Sequence, residues 1–124
     1  MANPNIVNVT SILGETVIGA LTTTLTTVLL TNSASSGKVF KVNSVIISNV
    51  DGTNAADVTF KLATNDLGTS VAYAIASTIS VPADAALNLI DKNSSFYLME
   101  NRSLIGGASA NSDLEYLISY EIIN

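Results

Sequence analysis

The chain has 124 residues, enough for one domain with a real core, and carries a net charge of −5 with a pI near 4.2. Its five basic residues, Lys38, Lys41, Lys61, Lys92 and Arg102, are scattered and offer no face that could neutralise phosphates, which argues against nucleic-acid binding. With no His and no Cys, the commonest general base, the Ser-His dyad and the usual zinc ligands are excluded.

The start, Met1-Ala2-Asn3-Pro4-Asn5, lacks the basic and apolar regions of a signal peptide, so the chain is expected to stay in the cytoplasm or leave by a route other than secretion. Runs at Ile6 to Leu13, Thr16 to Leu21 and Leu25 to Thr31 predict three short strands. A helix over Glu15 to Leu30 is the alternative, weakened by its threonines and its lack of caps. The same threonines break the greasiest stretch, so no apolar run approaches the roughly 18 to 20 residues of a spanning helix. Asn32 to Gly37 reads as a flexible connection. Phe40, Val42, Ile46 and Val50 then mark the apolar side of an imperfect strand, closed by the turn Asp51-Gly52-Thr53-Asn54.

From Asp57 to Ala63 the alternation is clean, with Val58, Phe60 and Leu62 facing one way and Asp57, Thr59 and Lys61 the other. After a break at Asn65 to Gly68, Val71, Tyr73, Ile75, Ile79 and Val81 predict another apolar face, backed by the small row Ala72, Ala74, Ala76 and Thr78. Turns at Pro82 to Asp84 and Asp91 to Ser94 bracket a short strand around Leu87 and Leu89. Glu100-Asn101 separates Phe96 to Met99 from Leu104-Ile105, and Asn111-Ser112 leads into the last strand. There Leu114, Tyr116, Ile118, Tyr120 and Ile122 oppose Asp113, Glu115, Ser119 and Glu121. The expected fold is therefore all-β: one antiparallel β-sandwich over residues 1–124, jelly-roll-like, with about eight to ten strands.

Little in this pattern can do chemistry, and no catalytic, cofactor-binding or metal residue is expected. Glu115 and Glu121 share a strand face, but six residues of strand separate them by about 20 Å, too far to cooperate. The acidic loop Asp51 to Asp57 could offer oxygen ligands to calcium, yet it lacks EF-hand spacing and suits a turn better. Gly106-Gly107 lacks the flanking residues of a phosphate loop and reads as a bulge or a close backbone contact. Sequons at Asn8, Asn93 and Asn101 mean little without a secretory signal.

The composition points to assembly. Hydrophobic residues make up 48% of the chain and charged residues 12%, about half the usual share, with mean hydropathy +0.44. A surface so short of charge suggests burial in subunit contacts. Two stretches are candidate interfaces. The face of Ala72, Ala74 and Ala76 is either a strand buried on both sides or a flat subunit contact. The run containing Thr24 and Thr26 is either an ordinary exposed strand or an edge open to another chain.

The stretches MANPNIVNVTSILG, GKVFKVNSVIISNVDGTNAADVTFKL, ISVPADAALNLIDKNSSFYLMENRSL and ASANSDLEYLISYEI resemble small virion structural proteins of tailed bacteriophages, notably those infecting cyanobacteria. The resemblance covers nearly the whole chain and carries no catalytic motif. It implies a non-enzymatic protein made in the host cytoplasm and built into the virion in many copies. Its partners would be copies of itself, as a trimer, and other virion proteins, the major capsid protein first, with no nucleic acid, membrane or cofactor. Three roles compete: a capsid decoration or cement protein stiffening the shell, a neck or tail component, and a host-surface glycan-binding module. With no Trp, and with Phe60, Tyr116 and Tyr120 assigned to apolar strand faces, the last is disfavoured. A compact domain without a long extension favours decoration.

Overall fold

In a computed structural model, which describes residues 4–124, nine strands form two antiparallel sheets packed face to face. The strands are β1 (Ile12–Ala20), β2 (Thr27–Asn32), β3 (Val39–Asn49), β4 (Ala56–Ala63), β5 (Ala72–Val81), β6 (Ala86–Ile90), β7 (Phe96–Leu98), β8 (Arg102–Ala108) and β9 (Leu114–Ile123). Sheet A runs β1-β9-β3-β6, with β7 pairing the other end of β3. Sheet B runs β2-β8-β4-β5. The all-β sandwich expected from the alternation is what forms. A 3-10 turn, Lys92–Ser94, is capped by Asp91.

One buried cluster lies between the sheets. Sheet A supplies Val42, Val45, Ile47, Leu114 and Ile118, and sheet B supplies Val58, Phe60, Leu104 and Ala108. Tyr120 stacks near Phe40 with ring centroids 5.2 Å apart. In β4 and β9 the inward side chains are those that the strict period of two assigns.

Two buried asparagines tie the layers together at their margins. Asn49 of β3 donates through Nδ2 to the carbonyls of Val81 (2.9 Å) and Asn54 (3.0 Å), while its Oδ1 accepts from the Asp51 amide at 2.9 Å. Asn32 of β2 donates to the Lys38 and Leu98 carbonyls at 2.9 and 3.0 Å, and its Oδ1 accepts from the Ser36 hydroxyl at 2.6 Å. A buried amide with every group bonded fixes how one sheet sits on the other, because any shift would strand a desolvated carbonyl.

Several expectations need correction. Ile6 to Ser11 is turn and irregular chain, and β1 then runs unbroken from Ile12 to Ala20, across the gap predicted at Gly14 and Glu15. Its partner β9 keeps register over the whole length and overrides the local glycine. In β3 the register shifts between Val42 and Ser44, so Val45 and Ile47 enter the core and Ile46 turns outward; Val50 lies beyond the strand, exposed. One extra residue in the strand, at Asn43, reverses the parity of everything after it. Val71 and Tyr73, expected inside, are 66% and 68% exposed.

Candidate assembly surfaces

The outer face of sheet B is partly roofed by two loops. The β1–β2 loop, holding Thr22 to Thr26, is neither strand nor edge: the Thr22 hydroxyl accepts from the Thr24 amide (3.3 Å), and the Thr27 hydroxyl donates to the Thr24 carbonyl (2.9 Å). Side-chain bonds of this kind favour turns over ladders. The loop lies down on β8 at Gly107, where a Cβ would come 2.6 Å from the Thr24 carbonyl and 2.8 Å from that of Thr22. The close backbone contact read from Gly106-Gly107 is therefore present, and its physical reason is this loop. The β4–β5 loop closes over the other end: Ser103 donates to the Asn65 carbonyl (2.8 Å), Arg102 to that of Thr64 (3.1 Å), and Thr31 to that of Asp66 (2.7 Å).

Between the two loops lies a shallow depression of about 460 Å³, lined by Leu25, Thr26, Lys61, Gly68, Ala72 and Ile105 among others. The structure thus brings Thr26 and Ala72 together. Thr24 is exposed on the same loop, and Ala74 is exposed on β5 opposite Lys61. Ala76 is not available: register shifts on both sides of Phe60 turn it inward, where it is 3% exposed within the core. The three alanines do not share a surface, because β5 is bulged where a regular strand was expected.

Among the described residues the outer face of sheet A carries no such roof at its centre, and this face was not singled out in the sequence. Pairing registers align Ile18 of β1, Leu117 of β9 and Ile46 of β3 in one row across three strands. Ile18 is 70% exposed; Leu117 and Ile46 are half-buried. The flanking rows are Thr16, Ser119 and Ser44 on one side and Ala20, Glu115, Ser48 and Ala86 on the other. Two shallow depressions, of about 660 and 480 Å³, lie along this face and share Ile46. A band of aliphatic side chains flanked by short hydroxyls and methyls suits a flat interface, with charge at its margins in Glu115 and, around the larger depression, Glu15, Asp91, Lys92 and Glu121.

Elsewhere the polar groups serve local structure. The Asp51 carboxylate accepts from the Thr53 amide at 2.8 Å, and Asn54 Nδ2 reaches it at 3.3 Å. The Thr53 hydrogen bond foremost, then that of Asn54, holds the Asp51 carboxyl below its ordinary value. The loop is built as the turn its Asp-Gly pair predicts. Burial, and then the negative charge of Glu15, push the Tyr120 phenol up. No group of three or more acidic residues that could hold a metal ion occurs among the described residues, and none of their helices is long and apolar enough to cross a membrane.

No protein-family model and no curated protein matches the chain. Among solved structures it is similar to a chain from Bacillus endospore appendages, described as a novel family of disulfide-linked pili. The TM-score is 0.52 at 16% sequence identity, covering 91% of this chain and 88% of that one. At this identity the likeness bears on the fold alone, and it supports the β-sandwich.

Proposed function

We propose that this protein is a non-enzymatic structural subunit of a multi-copy assembly, and that it contacts its neighbours through the outer face of sheet A. The observation that carries the reading is the Ile18-Leu117-Ile46 row, an aliphatic band left open on a chain with only 12% charged residues. In the form implied by the resemblance to phage virion proteins, the assembly is a virion, and the chain is a capsid decoration protein seated on the outside of the shell, as a trimer, after synthesis in the host cytoplasm. The sandwich is then a jelly roll: its strand orders, β1-β9-β3-β6 facing β2-β8-β4-β5, draw each sheet from both halves of the chain, as two interleaved Greek keys do. Quantitative mass spectrometry of purified particles tests this. Hundreds of copies per particle are expected for decoration; six or twelve would move the chain to the neck or tail, and its absence from particles would overturn the virion reading.

A filament subunit is the second reading, favoured by the fold shared with the endospore pili. Those pili are described as disulfide-linked, and this sequence has no Cys, so a filament of this chain would be held by non-covalent contacts. Electron microscopy of the concentrated protein separates the two readings, since only a filament subunit should polymerise alone.

A further inference from the structure

Four edges end the two sheets, and three are blunted. β2 has six residues and a register shift, β5 carries register shifts and a left-handed Thr78 (φ 50°), and the far side of β3 is covered only by the short β6 and β7. Such interruptions are how sheets avoid pairing with other chains. β1 has none of them: nine residues, an unbroken register with β9, no Pro, no Lys or Arg, and one charge, Glu15.

The hydrogen-bond phase of this edge can be read directly. Ser11 and Asn124 exchange both backbone bonds (3.1 and 3.0 Å), and the Leu21 amide donates to the Leu114 carbonyl at 2.8 Å. Odd-numbered residues of β1 therefore bond to β9, and Ile12, Gly14, Thr16, Ile18 and Ala20 point their N–H and C=O groups outward.

From this we infer that two copies of the protein pair antiparallel along β1, about a two-fold axis at Thr16, to make one continuous sheet; this rests on the assembly reading above. The full-overlap register sets Ile12 opposite Ala20 of the other copy, Gly14 opposite Ile18, and Leu13 opposite Gly19, whose own Cβ space is already filled by the Tyr116 ring. The space that a Cβ at Gly14 would occupy has nothing within 4 Å, which leaves room for the opposing isoleucine. Glu15 falls opposite Val17. Sliding the pair by two residues one way would put Glu15 against Glu15, a direct like-charge contact. Sliding it two the other way would leave Ile12 and Leu13 unpaired, although they are 57% and 55% exposed. In a lattice of trimers, this two-fold would join one trimer to the next.

The test uses charges placed to read the register. Positions 14 and 18 lie about 13 Å apart within one strand, too far to pair in the same copy. In the two-fold register each faces the other across the axis. Gly14→Lys with Ile18→Lys should weaken association about tenfold by sedimentation equilibrium, through its symmetry-related like-charge pairs. Gly14→Glu with Ile18→Lys should associate about tenfold more tightly than the double-lysine variant, and since both replace Ile18, the loss of that side chain from the outer row cancels between them. A general charge effect predicts the reverse, because two added lysines reduce the net charge from −5. A short bis-maleimide should also join Thr16→Cys copies efficiently and Ala74→Cys copies poorly, in a chain with no other cysteine. Equal association of the two charge variants, or equal cross-linking at the two cysteines, would overturn the edge pairing. The assembly reading fails separately, on absence of the chain from particles and filaments alike.

Discussion

Asn49→Ala isolates the polar tie between the sheets. The amide of Asn49 is 4% exposed and makes three hydrogen bonds, one of them to Val81 on the opposite sheet. Val81 is itself 1% exposed, so its carbonyl loses the Asn49 partner where water cannot reach, at a cost of about 2 kcal/mol. The Asn54 carbonyl and Asp51 amide belong to a surface loop and can rehydrate, adding about 0.5 kcal/mol each. The sum, about 3 kcal/mol, is a large share of the roughly 5 to 15 kcal/mol that holds a domain together. For a chain of this length it corresponds to a drop in Tm of roughly 10 °C. Urea denaturation should show the midpoint falling with an unchanged slope, since the surface exposed on unfolding stays the same. Asn49→Asp should not recover the loss, because it places an oxygen against the Val81 carbonyl. A loss below about 1 kcal/mol for Asn49→Ala would refute the idea that this amide fixes the two layers.

Gly107→Ala should displace the β1–β2 loop, because the atoms nearest the new methyl are backbone atoms of Thr24, Thr22 and Leu25, at 2.6 to 3.0 Å; amide exchange should quicken at Ala108, which donates to the Thr22 carbonyl. The lowered carboxyl of Asp51 contributes stability that is complete above its unfolded value of 3.8 and is lost as pH falls through the lower folded value. Acid titration of Asp51→Asn should lack that component, and an identical acid limb in both proteins would count against the turn's role. Tyr120 behaves oppositely at alkaline pH: with its folded value raised, its contribution is complete below 10.0 and is lost as pH rises through the folded value. Tyr120→Phe should flatten the alkaline fall in stability, and an unaltered fall would argue against the environment given to that ring.

Much of the fold was legible wherever a strand runs without interruption. Val58 and Phe60 in β4, and Leu114 and Ile118 in β9, lie inside because a regular pleat leaves no other choice. What failed was parity. The bulge at Asn43 and those beside Phe60 each change which side chains face inward, and nothing in the composition of those stretches announces an extra residue. That is why Ile46 moved to the surface and Ala76 to the core. The threonine loop was misread for another reason: its conformation depends on Gly107, over eighty positions away in the chain and adjacent in space. The candidate surface was illegible in the same sense, since Ile18, Leu117 and Ile46 become one row only through the order and register of three strands. The scarcity of charge suggested an interface, and the sheet order brings three aliphatic side chains together on one face.

Co-assembly of wild type with Leu117→Lys tests the central claim most directly. Leu117 is half-buried at the middle of the outer row and outside the core cluster, so the variant should fold with nearly unchanged Tm. When both proteins are supplied in equal amounts, mass spectrometry of the finished assembly should find the variant depleted about tenfold or more, as expected for a charge placed in a desolvated contact. Equal incorporation of the two proteins would contradict the assignment of this face to assembly.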